Sequence, residues 1–127
     1  MKISSDHNSL GKTGERLTER FLRQKGYRIL EKNYRSRHGE IDLIAEKDDF
    51  LIFVEVKTRY AVDDEDPILR VDKEKQKHLG LAAEAYLAGH ESHHSSVRFD
   101  VVTVQFEKGK PVFHHYEDAF WLEPGNP

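Results

Sequence analysis

Gly39-Glu40-Ile41-Asp42-Leu43-Ile44, the polar step Lys47-Asp48-Asp49, and Phe50-Leu51-Ile52-Phe53-Val54-Glu55-Val56-Lys57 together decide how this chain folds. Two apolar runs flanking a polar turn predict a β-hairpin. Side chains alternate between faces along a strand, so Glu55 and Lys57 point one way, about 7 Å apart, and Val54 and Val56 point the other. A two-residue turn at Asp48-Asp49 sets Asp42 directly opposite Glu55, with Cβ atoms about 5 Å apart. Asp42, Glu55 and Lys57 then share one face, and Ile41, Leu43, Val54 and Val56 pack beneath it.

Such a face is costly unless something uses it. Like charges opposite each other destabilise a sheet, and acids among valines and isoleucines also lose solvation. A divalent cation reverses both penalties. Mg²⁺ and Mn²⁺ take oxygen ligands, typically one or two carboxylates completed by water and substrate phosphate oxygens, and Asp42, Glu55 and the Val56 carbonyl offer such donors. The Lys57 ammonium beside them suits an attacking water or the charge that builds on a phosphate. Phosphodiester hydrolysis is the chemistry this set implies. The competing account is a purely structural ion pair of Lys57 with Glu55 or Asp42.

Asp42 followed by Glu55-Val56-Lys57 resembles the PD-(D/E)xK signature of the restriction-endonuclease-like superfamily, shared with archaeal-type Holliday-junction resolvases. Gly14-Glu15, Gly26-Tyr27, Asn33-Tyr34-Arg35, Gly39 to Ile44, Phe53 to Arg59, Lys75-Gln76 and Arg98-Phe99-Asp100-Val101-Val102 further resemble the YraN-like family, from about Gly11 to Phe106. Ile41 stands where the superfamily often has proline, a residue that shapes the strand and supplies no ligand. The resemblance implies an α/β restriction-endonuclease-like sandwich, a mixed central sheet flanked by helices. It also implies that Glu15 reaches the metal site from the first helix and that Gln76 faces it from the second. The alternatives are a surface glutamate and a buried amide bonded to backbone.

The 127 residues are read as a single nuclease-like domain, 1–127, with a C-terminal strand and tail from 107. There is no cysteine, which excludes disulfides, thiolate zinc sites and cysteine nucleophiles and fits a reducing cytoplasm. No apolar run has the length of a membrane span, and the polar start lacks a signal-peptide core. The expected setting is cytoplasmic, away from membranes.

Net charge is −3, but it is unevenly spread. Residues 1–39 hold ten Lys/Arg against four Asp/Glu, and residues 40–127 hold ten against nineteen. Arg16, Arg20 and Arg23 on the first helix, with Arg35 and Arg37 in the loop before the hairpin, could guide a phosphate backbone to the acids. An ordinary solvated surface is the alternative.

The scaffold reads as a helix from about Ser9 to Lys25 with Leu10, Leu17, Phe21 and Leu22 inward and Gly26 as its stop. A short strand, Tyr27 to Leu30, precedes the hairpin. An acidic loop at Asp63 to Asp66 leads to a helix capped by Asp72 and closed by Gly89, with Leu79, Ala83, Tyr86 and Leu87 inward. Val97 to Phe106 and Pro111 to Tyr116 are strands, and Phe120-Trp121 is an apolar patch. Gly14, costly in a helix, marks a close approach. His90, His93, His94, His114 and His115 lack a metalloprotease spacing and read as surface residues.

The expectation is a Mg²⁺- or Mn²⁺-dependent nuclease acting on DNA, branched or single-stranded, with Asp42 and Glu55 as ligands and Lys57, Glu15 and Gln76 as catalytic or supporting groups. Related resolvases cut two strands with two sites, so the resemblance leaves a homodimer open, with nothing in the sequence to establish it. The alternative is a nucleic-acid-binding or protein-interaction module with little turnover.

Overall fold

The computed structural model describes residues 6–59, 73–91 and 93–120, with side chains from residue 9 onward. The elements run α1 (Asp6–Gln24), β1 (Arg28–Ser36), β2 (Gly39–Lys47), β3 (Phe50–Arg59), α2 (Lys73–Gly89), β4 (Ser96–Glu107) and β5 (Lys110–Tyr116). The five strands form one sheet in the order β1-β2-β3-β4-β5. Every neighbouring pair is antiparallel except β3 and β4, which run parallel. Two parallel neighbours cannot be joined by a tight turn, and α2 lies in the connection between them. The result is the expected α/β sandwich, a mixed sheet with a helix on each face.

The period-2 pattern of β3 builds both layers. Ile52 and Val54 face α1, packing with Leu22, Tyr27, Leu43, Ala45 and Val102. Leu51 and Phe53 face α2, packing with Leu79, Ala82, Ala83, Tyr86, Ile44 and Val101. A strand covered on both faces reads as a near-continuous apolar run, which is how residues 50–54 read.

The hairpin register follows the two-residue turn: Lys47 pairs with Phe50 across Asp48-Asp49, and Leu43 with Val54. Asp48 has φ 54°, the left-handed conformation such a turn needs and one that Asp tolerates. Gly26, with φ 94°, stops α1 as expected. The close approach at Gly14 is also present. A Cβ there would run into Thr58 Oγ1 and lie 2.9 Å from Thr58 Cβ, so α1 crosses β3 where it has no side chain.

Several expectations are corrected. The first strand extends over nine residues to Ser36, which takes Arg35 out of the loop and into β1. The pattern at 27–30 hid this because β1 is an edge strand, polar beyond Leu30 except for Tyr34, with a register shift between Ile29 and Glu31 and a positive φ at Asn33. Gly89 ends α2 without a left-handed cap, since it is not among the positive-φ glycines. Ile41 packs with the α2-side cluster instead of beneath the acidic face with Leu43. His115 is not a surface residue: its side chain is 4% exposed and lies against Asp100. Asp72, the acidic run at 63–66 and Trp121 lie outside the described residues.

Candidate functional site

The register places Asp42 opposite Glu55, but the ladder between β2 and β3 ends one pair earlier, at Leu43 and Val54. From there β2 leaves β3 while staying paired with β1 as far as Ser36 and Gly39. The Val56 amide, which a straight ladder would give to a carbonyl, donates instead to Asp42 Oδ2 at 2.8 Å. The strands fork around the Asp42 carboxylate. This accounts for Ile41, because a strand that departs from its neighbour twists away and the alternation counted from Leu43 no longer holds beyond it.

A cavity of about 400 Å³ opens at the fork, lined by Gly39, Glu40, Asp42, Glu55, Lys75, His78 and Leu79. Its floor is sheet, one wall is the start of β2, and the other is the first two turns of α2. The walls meet where Gly39, φ 154°, comes against His78: a Cβ on Gly39 would stand 3.4 Å from the His78 Cβ and 3.5 Å from its carbonyl oxygen.

Asp42 and Glu55 are therefore brought together, as the hairpin reading required. Glu55 is 6% exposed. Two ammonium groups meet the same Glu55 oxygen, Oε2: Lys57 Nζ at 3.5 Å and Lys75 Nζ at 3.0 Å. Burial, and then the charge of Glu55, push the Asp42 carboxyl up to about 8; the Val56 amide and Lys75 oppose the rise and Glu15 adds to it. Glu15 reaches this group from α1 through side-chain hydrogen bonds with Asn33 and Asp42, and burial raises its carboxyl above the ordinary range despite them. Among the described residues, no three His, Asp or Glu groups stand together as a ready-made metal cage.

Gln76 is half-buried in the first turn of α2, and its neighbour Lys75 is the residue that lines the cavity. Lys75 was missed as a site residue, although a signal was there. Counting from Lys75 gives 79, 82, 83 and 86, all buried, so the lysine stands at the head of the inward stripe. Of the arginines, Arg16, Arg20 and Arg37 are exposed, while Arg35 lies 3.8 Å from Glu40. Arg23 is tied to Glu19 within α1 at 2.8 Å.

A second charged group lies on the α1 face of β4. Asp100, 1% exposed, accepts from Arg98 Nε at 2.9 Å and Nη2 at 2.8 Å, and from the Asp118 amide at 2.9 Å; His115 Nε2 lies 2.7 Å away. Arg98 also donates to the Tyr27 hydroxyl, 2.8 Å. Burial alone would raise the Asp100 carboxyl; the bonds from His115, Arg98 and the Asp118 amide outweigh it and hold the group below its usual range. Each lone pair has a partner, and the cluster fastens the end of α1 to β4 and β5.

A family model described as "Uncharacterised protein family UPF0102" matches residues 14–104. The chain is 42% identical to a UPF0102 protein of Syntrophomonas wolfei over 114 residues, covering 90% of this chain and 99% of that one. It is 44% identical to one of Rhodococcus opacus, over 90% of this chain and 98% of the relative. For one of Chlorobium limicola it is 40% identical, with 97% and 100% covered. The span matched by the family model takes in the fork, both lysines, Tyr27, Arg98 and Asp100, and ends before His115 and Asp118.

Proposed function

Given that the chain belongs to the uncharacterised protein family UPF0102, we propose that it is a divalent-metal-dependent nuclease of the PD-(D/E)xK kind, hydrolysing phosphodiester bonds in DNA. The observation that carries this reading is the fork itself. A strand pair is interrupted at one aspartate, and the interruption exposes to a single cavity two acids that the sheet would otherwise have no reason to hold together.

The donor set suits Mg²⁺ or Mn²⁺. Two hard carboxylates on a rigid floor match an ion that keeps several waters and takes substrate phosphate oxygens, and among the described residues no three His, Asp or Glu groups form the closed set that zinc takes. Asp42 and Glu55 would hold it, and their mutual repulsion in its absence is the strain that burial and Glu55 place on the Asp42 proton. Bound there, the ion would act as a Lewis acid on a phosphoryl oxygen. Lys57, fixed on β3 beside Glu55, sets an ammonium against the charge that gathers on the phosphate during attack. The Val56 amide pins Asp42 Oδ2, so that carboxylate is oriented before any ligand arrives. Glu15 lies beside Asp42 on the α1 side, from which it would approach the ion as a further carboxylate. The exposed Arg16, Arg20 and Arg37 supply positive charge from the N-terminal third for a nucleic-acid backbone.

A second reading has an observation in its favour: the Lys57–Glu55 contact, which a purely structural ion pair also predicts. The protein would then be a binding module without turnover. Incubation with duplex, single-stranded and junction DNA in Mn²⁺ separates the two. Cleavage by the parent, lost in both Asp42→Asn and Glu55→Gln, is expected; DNA binding without cleavage of any substrate would establish the second reading.

A further inference from the structure

Two monovalent cations on one carboxylate oxygen amount to the charge of one divalent ion. Lys57 Nζ and Lys75 Nζ both approach Glu55 Oε2, and Lys75 is the nearer at 3.0 Å. The two lysines are attached differently. Lys57 sits two residues along the same strand as Glu55, with a side chain 28% exposed, and the alternation of β3 keeps it there. Lys75 comes from another element, across the cavity, on a flexible four-carbon stem whose side chain is 45% exposed. Glu55 is almost wholly buried, and leaving such a carboxylate without a counter-charge is expensive. Lys75 adds the nearer counter-charge to that of Lys57, and it is the one of the two that can withdraw.

We infer that Lys75 is a stand-in cation: it holds Glu55 in the metal-free protein, is displaced when a divalent ion takes that carboxylate, and so ties the first turn of α2 to the filling of the site. This rests on the metal-site reading above and adds to it a residue that competes with the ion. The Lys75 ammonium, released from Glu55, then faces the cavity from the wall opposite Gly39 and Glu40, where a bound phosphate would meet it. The first turn of α2 becomes a sensor of the metal, and binding of metal and of nucleic acid becomes cooperative through one side chain.

The test follows the ε-amine itself. Amine-directed methylation of the parent at fixed pH, read by peptide mass spectrometry with and without Mn²⁺, should show Lys75 modified at least threefold faster with the metal, while Lys57 stays slow in both. Calorimetric titration with Mn²⁺ should show Lys75→Met binding the ion several-fold more tightly than the parent, because nothing competes for Glu55. Lys77→Met, which removes an exposed lysine two residues away, should change the affinity little. Should Mn²⁺ bind the parent while Lys75 reactivity and the Lys75→Met affinity stay unchanged, the stand-in role is wrong and the metal site survives. If Mn²⁺ fails to bind the parent at all, the metal reading fails, and this inference fails with it. Labelling is done on the unaltered chain, so a variant that folds poorly does not remove the test.

Discussion

At the scale of single residues, two aspartates, Asp42 at the cavity and the buried Asp100, have opposite electrostatic roles. Asp42 has its carboxyl raised to about 8, by burial first and by Glu55 second. A folded-state value above the unfolded one means that the proton is held more tightly in the fold. Its contribution to stability is full below the unfolded value and is lost as pH rises through the folded one. Without metal, thermal unfolding between pH 5 and pH 9 should show the parent losing stability by on the order of 1 kcal/mol per pH unit at most. Asp42→Asn should flatten that dependence and leave the apo protein at least as stable at pH 8, because its side-chain carbonyl can still accept from Val56. Added Mn²⁺ should stabilise the parent and not the variant, since a ligand that binds only the folded state shifts unfolding in proportion to its affinity. A variant much less stable than the parent, with a parent indifferent to Mn²⁺, would identify the structural ion pair instead. Asp100 runs the other way. Its carboxyl is held below the ordinary value, so its contribution is present above that value and disappears as pH falls through the folded one. Asp100→Asn leaves the partly buried Arg98 guanidinium with the more distant Glu117, at 3.6 Å, as its acid, and should cost about 1–3 kcal/mol in urea unfolding near pH 7.

Between elements, the decisive contacts are places where backbone comes close to backbone. Gly14 lets α1 lie across β3 at Thr58. Gly14→Ala should gain roughly 1 kcal/mol of helix propensity but force a β-branched side chain, which has little rotamer freedom, out of its place. Overpacking of this kind costs about 1–3 kcal/mol. The expected net effect is a loss of stability with a lowered urea midpoint, and an unchanged or raised midpoint would show that α1 can ride up without penalty. Because α1 also carries Glu15 to Asp42, the same change should weaken Mn²⁺ binding by several-fold. The fork between β2 and β3 depends on the Asp42–Val56 bond and on Gly39 resting against His78. The first half of β2 is thus tied to β3 at Asp42 and set against α2 at Gly39, and both residues line the cavity.

For the molecule as a whole, charge is divided as well as layered: the basic surplus lies in residues 1–39, and the acids that form the cavity floor lie beyond it. Neutralising Arg16, Arg20 and Arg37 together should weaken DNA binding alike for all sequences and make its salt dependence shallower, because fewer counterions are released. Arg35, already close to Glu40, should contribute less than any of these three. Fluorescence-anisotropy titrations from 50 to 300 mM salt, roughly the range over which such contacts are screened, would measure both effects. An unaltered slope would assign these arginines to solvated surface. No described helix is long and apolar enough to cross a membrane.

Much of this was legible in the chain itself, because the governing physics is local. Period-2 alternation and the length of the Asp48-Asp49 turn fix the register of β2 on β3, and that register brings Asp42 and Glu55 together without any knowledge of the rest. Gly14 announced a close approach because a glycine costs helix stability and often marks close packing, although Gly11 in the same helix meets no neighbour. What tertiary structure decided are the features made between distant segments. The edge strand β1 bears no apolar alternation to reveal its length, since an edge is half-solvated. The turning of Ile41 to the α2 face follows from strands parting at Asp42, which no pattern within β2 encodes. His115, near the end of an expected strand, reads as one more surface histidine, and only the placing of β5 beside β4 sets it against Asp100. Lys75 reaches Glu55 only because α2 crosses the sheet at that point. Periodicity specifies which way a side chain points, whereas partners twenty or more residues away are set by how the layers pack, and the chemistry of a buried charge depends on those partners.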